Sequence, residues 1–167
     1  KISILINKSS NIKKWKLIRK EIYNDILKNG WNKKLGAFTQ SYGSDSLDAS
    51  LLLMESFDFV KPNNLKYIKT VKAIENDLMN DGLLFRYRNK DDFGFPSSSF
   101  TVCSFWYINS LYKIGEKEKS KNYFEKILKY SNHLGLFSED LDFKSKRLLG
   151  NFPQAYSHLA LIDCALN

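Results

Sequence analysis

Lysine-rich stretches with apolar residues at helical spacing occur three times along this chain. They span roughly 10 to 29, 65 to 78 and 123 to 128, and in each the apolar side chains recur every three or four positions. A stripe of this kind lets a helix bury one face and keep the opposite face in water. The pattern therefore predicts three amphipathic helices on the outside of the molecule.

A different kind of segment follows each of these stretches. It begins near 46, 99 and 153 and is apolar on almost every side. Such a segment is typical of a helix buried on most of its circumference. The repeat of about 53 residues is longer than the roughly 34 residues of a tetratricopeptide unit. The alternation of polar and apolar residues that indicates β-strands is weak throughout the chain. We therefore predict an all-α fold of three helical hairpins, each with one outer and one inner helix.

The connections between these predicted helices are unequal in length. Short turns lie around 61 to 63 and 115 to 117, whereas long loops run roughly over 30 to 45, 81 to 98 and 134 to 152. If the helices are antiparallel neighbours, the long loops gather at one end, above the N-termini of the inner helices. Long loops on a rigid scaffold commonly carry binding and catalytic residues. We expect the functional site at this end.

The long loops are rich in aromatic rings, amides and carboxylates, which suit a sugar site because sugar hydroxyls require hydrogen bonds and sugar faces stack on rings. Some of these residues also have a structural interpretation. Ser44 or Asp45 is predicted as the N-cap of the first inner helix, with Asp48 in its acidic first turn. His158 lies one turn inside an apolar segment and is predicted to be a core histidine.

Length and composition favour one domain over 1–167, since 167 residues with 43% hydrophobic content can form one ordinary core. The net charge of +8 would permit nucleic acid as a partner. The lysines, however, are spread along helix faces opposite the apolar stripes, so we predict no nucleic-acid partner. Cys103 and Cys164 lie inside apolar patterns and are expected to be reduced.

The chain lacks the signals of several other protein classes. No stretch approaches the roughly 20 apolar residues of a membrane helix. The N-terminal sequence lacks the apolar run of a secretory signal. We therefore expect a soluble, cytoplasmic protein without a membrane partner. Zinc-ligand spacing, a glycine-rich phosphate loop and a nucleophile elbow are also missing, so no metal and no cofactor is predicted.

Four sequence blocks, at 40–51, 81–88, 103–106 and 148–159, resemble glycoside hydrolase family 15, which includes glucoamylases and a group of bacterial and archaeal trehalases. The blocks occur in the family's order and cover roughly residues 30 to 167. The resemblance implies an (α/α)6 toroid, of which three hairpins make half. It also implies that the chain is the C-terminal half of the catalytic domain, without the family's N-terminal sugar-binding block.

The resemblance assigns roles to two positions in the long loops. Family members invert the anomeric centre with a general acid and a general base. The match over 135–142 implies that Glu139 is the general base. The block that supplies the general acid aligns with 97–100, so Ser97 stands at the position of the lost acid. The residues predicted to bind substrate are Trp31, Tyr42, Arg86, Tyr87, Asp140 and Asn151.

Three interpretations of function remain open from the sequence. In the first, the chain is related to family 15 and binds an α-glucoside or trehalose, but it hydrolyses little by itself because of Ser97 and the missing half. In the second, a separate N-terminal-half polypeptide or a homodimer completes the site across exposed apolar flanks. In the third, the chain is a helical binding module or a degenerate fragment without catalysis.

Overall fold

The computed structural model describes residues 11–167. Residues 1–10, which the single-domain prediction includes, lie outside this description. Helices predominate, and their order follows the predicted alternation. The segments predicted as outer helices form α1 (Ile12–Asn29), α2 (Leu65–Leu78) and α4 (Lys117–Leu128), and two of the segments predicted as inner helices form α3 (Thr101–Lys113) and α5 (Ala155–Ala165). The predicted burial is wrong for α1, none of whose residues is buried, and for α5, in which only Ser157 and Ala160 are buried. No helix in residues 11–167 is long and apolar enough to cross a membrane.

Helix α2 shows how the outer helices follow from their sequence. The Oδ1 atom of Asn64 accepts hydrogen bonds from the backbone N–H groups of Lys66 and Tyr67, at 2.9 and 3.3 Å, and so caps the first turn. Its apolar stripe includes Val71 and Ile74, both fully buried. The prediction of an amphipathic outer helix is confirmed here.

Helix α3 is the centre of the molecule and is buried almost all round, as predicted for an inner helix. Two of its serine side chains are hydrogen-bonded to neighbouring elements, whereas the Thr101 and Tyr107 hydroxyls are buried without a hydrogen-bond partner among residues 11–167. Ser104 accepts a hydrogen bond from the backbone N–H of Leu84 at 2.9 Å. Ser110 accepts one from the Tyr67 hydroxyl at 3.0 Å. Buried polar groups cost stability unless they are paired, so these contacts let serines occupy the core.

The first inner segment differs from the prediction. It forms a short 3-10 helix, Ala49–Met54, and its N-cap is Asp48, whose Oδ1 accepts from the backbone N–H of Ser50 at 2.7 Å. The prediction of Ser44 or Asp45 as the cap was wrong. Backbone groups of this segment bond to other elements: Ala49 N–H donates to the Arg86 carbonyl, and the Leu52 carbonyl accepts from Tyr67. These tertiary bonds replace those of an α-helix.

The all-α prediction also needs a correction, because the long loops contain short antiparallel strand pairs. Each strand in residues 11–167 has two residues, too few to produce an alternating sequence pattern. Two hairpins and one three-stranded sheet in the order β5-β6-β7 result. The strands are β1 (Trp31–Asn32), β2 (Ala37–Phe38), β3 (Met79–Asn80), β4 (Leu83–Leu84), β5 (Ser99–Phe100), β6 (Asp140–Leu141) and β7 (Leu148–Leu149).

An ionic cluster holds the second and third long loops to helix α4. The Asp81 carboxylate lies 2.9 Å from Lys126 Nζ on α4 and 2.7 Å from Lys146 Nζ in the third loop. Asp81 has a φ of 49°, in the left-handed region that asparagine and aspartate tolerate best among residues with a side chain. Hydrogen bonds from Lys146 and Lys126 lower the pKa of Asp81 to about 2.

Asp81→Asn should weaken the dependence of stability on acidic pH. The pKa of Asp81 is lower in the folded protein than the ordinary value of 3.8. Its stabilising contribution is therefore complete above about pH 4 and is lost as the pH falls towards 2. The variant should lose thermal stability at pH 6 and show a smaller drop in Tm between pH 4 and 2. Asp92→Asn, in the same loop, serves as the control, and equal pH profiles for both variants would contradict the role of the cluster.

Candidate functional site

A groove of about 450 Å³ opens between the second and third long loops. Glu139 and Ser97, the two positions singled out for acid and base chemistry, both line it. Arg86, Tyr87 and Asp140 line the same groove. The remaining lining residues are Asp91, Phe93, Gly94, Phe95, Pro96, Ser98 and Phe100. Residues far apart in sequence thus meet at the end of the molecule where the long loops were predicted to gather.

The three-stranded sheet brings the two walls of the groove together. Phe100 on β5 pairs with Asp140 on β6. Next to this pair, the backbone N–H of Thr101 donates to the Glu139 carbonyl at 2.9 Å. The Ser98 hydroxyl donates to Asp140 Oδ2 at 2.6 Å. Backbone pairing therefore fixes Glu139 directly opposite the N-terminus of helix α3.

The first long loop and the 3-10 helix that follows it bond to the second long loop. Ala49 N–H bonds to the Arg86 carbonyl at 2.8 Å, and Arg86 Nε lies 3.6 Å from Oδ2 of the buried Asp48. Asn89 Nδ2 also donates to Gln40 Oε1 at 2.6 Å. These bonds join the first loop to the second and hold Arg86, which is half exposed, at the groove.

Glu139 is oriented by one neighbour, Asn151. Its Oε2 atom accepts hydrogen bonds from Asn151 Nδ2 at 2.8 Å and from the Asn151 backbone N–H at 3.2 Å. The Glu139 backbone N–H donates in return to the Asn151 carbonyl at 2.9 Å. Within residues 11–167 these bonds all use Oε2 and leave Oε1 without one. Asn151, predicted to bind substrate, is not among the lining residues, and its contacts instead position the carboxylate.

Asp140 differs from Glu139 in its electrostatic environment. Burial raises the pKa of Asp140, the nearby Glu139 carboxylate raises it further, and the hydrogen bond from Ser98 lowers it. The net direction is upward, so Asp140 retains its proton to a higher pH than an ordinary aspartate does. The groove therefore contains two neighbouring carboxyl groups. Asp140 keeps its proton to a higher pH than usual, and Glu139 has one oxygen, Oε1, that accepts no hydrogen bond within residues 11–167.

Gly150 is required beside Glu139 for two reasons. Its φ is 73°, a left-handed conformation that residues with a side chain rarely adopt. A Cβ atom at this position would also lie 2.9 Å from Glu139 Oε2 and 3.1 Å from Glu139 Cβ. The chain thus approaches the Glu139 side chain more closely than any residue other than glycine allows.

Gly150→Ala should therefore impair the groove, and Gly43→Ala is its matched control. Gly43 has a φ of 74°, but a Cβ atom there would meet nothing within 4 Å. Both variants should lose about 1 kcal/mol of unfolding free energy from backbone strain. Only Gly150→Ala should shift the NMR signals of the Asn151 side-chain amide, because only there is the Glu139 carboxylate displaced. Similar shifts in both variants would contradict this assignment.

Two predicted substrate-binding residues lie outside the groove. Trp31 packs edge-on against Phe38, with ring centroids 5.2 Å apart, and Lys66 Nζ lies 4.9 Å from the Trp31 ring. The Tyr42 hydroxyl donates to Asp25 on α1 at 2.7 Å. Trp31 lies on β1 and contacts Lys66 of α2, whereas Tyr42 follows the β1–β2 hairpin and contacts Asp25 of α1. The structure thus separates them from the other predicted site residues.

His158 has the structural role predicted for it. Its Nε2 atom accepts from the backbone N–H of Phe137 at 3.2 Å, so Nδ1 carries the proton that bonds to the Gln154 carbonyl at 2.7 Å. Sequence reasoning missed Phe93 and Phe95, although two exposed aromatic residues in a long polar loop were a usable signal. Among residues 11–167 no group of three or more His, Cys, Asp or Glu side chains could hold a metal ion.

The sequence of the chain is similar to those of known proteins. The model of the family "Glycosyl hydrolases family 15" matches residues 2–121 and 115–166. A trehalase from Thermoplasma acidophilum is 44% identical over 155 residues, which cover 92% of this chain and 27% of that protein. A trehalase from Mycobacterium tuberculosis is 41% identical over 95% of this chain and 24% of its own length. The chain thus spans about a quarter of the length of these relatives.

Solved structures show the same fold. A glycosidase variant in complex with glucose superposes with a TM-score of 0.80 at 17% identity, over 95% of this chain and 45% of that one. The corresponding wild-type glycosidase gives a TM-score of 0.78 with the same coverage. Since the family model matches nearly the whole sequence, the chain belongs to glycosyl hydrolase family 15.

Proposed function

We propose that this chain is part of a trehalase-like glycoside hydrolase and supplies Glu139 as its general base. The observation that carries the proposal is the arrangement around Glu139: the carboxylate lines the groove, Asn151 holds Oε2, and Oε1 is left for another partner. A base that activates water needs this combination of fixed orientation and a free oxygen. The similarity to trehalases favours trehalose, or another α-glucoside, as substrate.

The general acid is the missing part of the proposed site. Ser97 lines the groove with Glu139, but a hydroxyl group is too weak an acid to protonate a leaving oxygen as a carboxylic acid does. Asp91 does not replace it, because the Tyr87 hydroxyl lowers the pKa of Asp91 and keeps it ionised. Asp140 holds its proton more firmly, but it follows Glu139 on the same wall, whereas inversion requires the acid on the opposite face of the sugar.

We therefore infer that a second polypeptide segment, the N-terminal half of an (α/α)6 toroid, completes the site. Apolar residues are exposed on two helices of the chain. On α1, Trp15 is 52% exposed and Leu17 59%, and on α5, Leu159 is 66% exposed and Ile162 54%. Exposed apolar faces of this kind support burial against further polypeptide. A homodimer formed through the same faces is the alternative.

The test is hydrolysis of trehalose by the purified chain, alone and mixed with the N-terminal part of a family 15 trehalase. We expect little glucose from the chain alone and clear turnover, with co-purification, from the mixture. Inverting chemistry also predicts β-glucose as an initial product, which NMR detects. Robust turnover by the chain alone would contradict the need for a second segment. Sugar binding without turnover in an assembled mixture would instead favour a binding module.

A further inference from the structure

The ring of His158, on helix α5, is bonded to the backbone that leads into Glu139. Its Nε2 atom accepts from the Phe137 backbone N–H at 3.2 Å, and its Nδ1 atom lies 2.7 Å from the Gln154 carbonyl oxygen. A backbone N–H can only donate, so the bond to Phe137 requires a lone pair on Nε2. The contact therefore needs a neutral imidazole whose proton is on Nδ1.

This contact is one of several that hold residues 137–139 of the third long loop to the segment 151–158. The others run from Gln154 N–H to the Phe137 carbonyl at 3.1 Å, from the Ser157 hydroxyl to the Ser138 carbonyl at 3.0 Å, and from Glu139 N–H to the Asn151 carbonyl at 2.9 Å. Phe137 and Ser138 are both 0% exposed, so water cannot replace a lost partner of their backbone groups. The backbone position of Glu139 thus depends on Asn151 at one end and on His158 at the other.

Within residues 11–167, His158 forms no ion pair. The carboxyl groups on the segments packed against it bond elsewhere: Glu139 to Asn151, Asp140 to Ser98 and Asp163 on α5 to Asn109. On the facing helix α3, burial raises the pKa of Cys103, and on α5 burial raises the pKa of Cys164 and of Tyr156, so these groups are neutral. A proton gained by the His158 ring is therefore not balanced by a bonded carboxylate.

We propose that neutral His158 is a positioning residue for the general base, and that protonation of its ring releases the backbone of 137–139 and displaces Glu139. The inference rests on the proposed function, because it takes Glu139 as the base. In an imidazolium both ring nitrogens are donors. Nε2–H would then face Phe137 N–H, and a buried donor that loses its acceptor is costly. Since histidine changes charge between about pH 5 and 8, the contact is present at the upper end of this range and is lost as the pH falls.

The first test is an NMR titration of the 167-residue chain from about pH 8 to about pH 5, the range in which histidine titrates. At the upper pH the ¹⁵N shifts of His158 should show a proton on Nδ1 and none on Nε2. As the ring gains its second proton, the signals of Phe137 N–H and Glu139 N–H should shift with it. In His158→Gln, whose amide oxygen can accept from Phe137 but cannot be protonated, the Phe137 signal should stay constant.

His133→Gln is the matched control, because it makes the same change at the only other histidine of the chain, which is exposed and lies in the same loop. The signals of Phe137 and Glu139 should still follow His158 in this variant. Shifts that follow His133 instead would overturn the assignment to His158.

The second test measures kcat and KM for trehalose in the mixture with the N-terminal part. His158→Phe keeps a ring but removes the acceptor, and it should lower kcat about 10- to 100-fold, the effect of a misplaced catalytic group, with KM changed less than about twofold. His158→Gln should restore most of this kcat and remove one ionisation from the acid side of the pH profile. A histidine that only stabilised the fold would lower Tm in both variants and leave the profile unchanged.

The positioning role is wrong if Nε2 carries the proton at the upper pH, if the Phe137 and Glu139 signals do not follow protonation of His158, or if His158→Gln keeps the pH profile of the unaltered chain. The NMR titration also decides if His158→Phe does not fold. The proposed function fails separately, because the titration needs no hydrolysis. If Glu139→Gln leaves hydrolysis unchanged while the signals still follow His158, the contact with His158 stands and the general base is elsewhere.

Discussion

Glu139→Gln should lower trehalose hydrolysis by about 10² to 10⁴-fold, the usual effect of losing a general base. An amide cannot take a proton from the attacking water. Glutamine nevertheless has the same shape as glutamate. Its amide oxygen can still accept the hydrogen bond that Asn151 Nδ2 donates to Glu139 Oε2 at 2.8 Å. The measurement is kcat for trehalose in the mixture with the N-terminal part, together with Tm to show that the fold is intact.

Glu118→Gln on helix α4 is the control for this variant, because it makes the same chemical change at an exposed position outside the groove. Its kcat should equal that of the unaltered chain. If Glu139→Gln retained full activity with an unchanged Tm, the general base would have to be another residue. If both variants lost activity together, the loss would come from assembly with the N-terminal part and not from chemistry.

Phe105→Ala should cost about 3 to 5 kcal/mol of unfolding free energy, as expected for removing a buried aromatic ring. Phe105 lies on α3 and Phe137 in the third long loop, and both are 0% exposed. Their rings meet edge to face at 5.5 Å and 90°. Removing one ring leaves a cavity and loosens the loop that carries Glu139. Urea unfolding followed by circular dichroism measures the loss.

Phe57→Ala is the matched control, since a ring that is 76% exposed should contribute no more than about 0.5 kcal/mol. Phe137→Ala should cost a similar amount to Phe105→Ala, and the double variant should cost less than the sum. The difference between the summed losses of the single variants and the loss of the double variant measures the direct ring contact, which contributes about 0.5 to 1.5 kcal/mol. Strict additivity of the two losses would contradict the packing described for these rings.

The positions of the helices could be predicted from the sequence because helical periodicity is a local property. The stripes that predicted α1, α2 and α4 need only the spacing of side chains along one segment. The nearly continuous apolar character of α3 is equally local, and it predicted that this helix is buried on most sides. Glu139 was found differently, from a resemblance carried by neighbouring residues, since nothing in its own local pattern distinguishes it from other loop carboxylates.

The segment 49–54 shows where local reasoning failed. Its apolar residues suggested an α-helix, but the Tyr67 hydroxyl and the Arg86 carbonyl take up its backbone groups from other elements. The separation of Trp31 and Tyr42 from the groove has a similar origin. Trp31 contacts Lys66 of α2 and Tyr42 contacts Asp25 of α1, and such contacts between distant segments leave no periodic signal in the sequence.

The sequence alone therefore determined the order of the outer and inner helices, the end of the molecule where the long loops meet, and the identity of the candidate base. Only the tertiary structure decided which loop residues share the groove, that Asn151 and Gly150 set the position of Glu139, and that Phe93 and Phe95 stay exposed beside it. The physical reason is that helix formation depends on neighbours a few residues apart, whereas the exposure of a ring or the orientation of a carboxylate depends on contacts between distant segments.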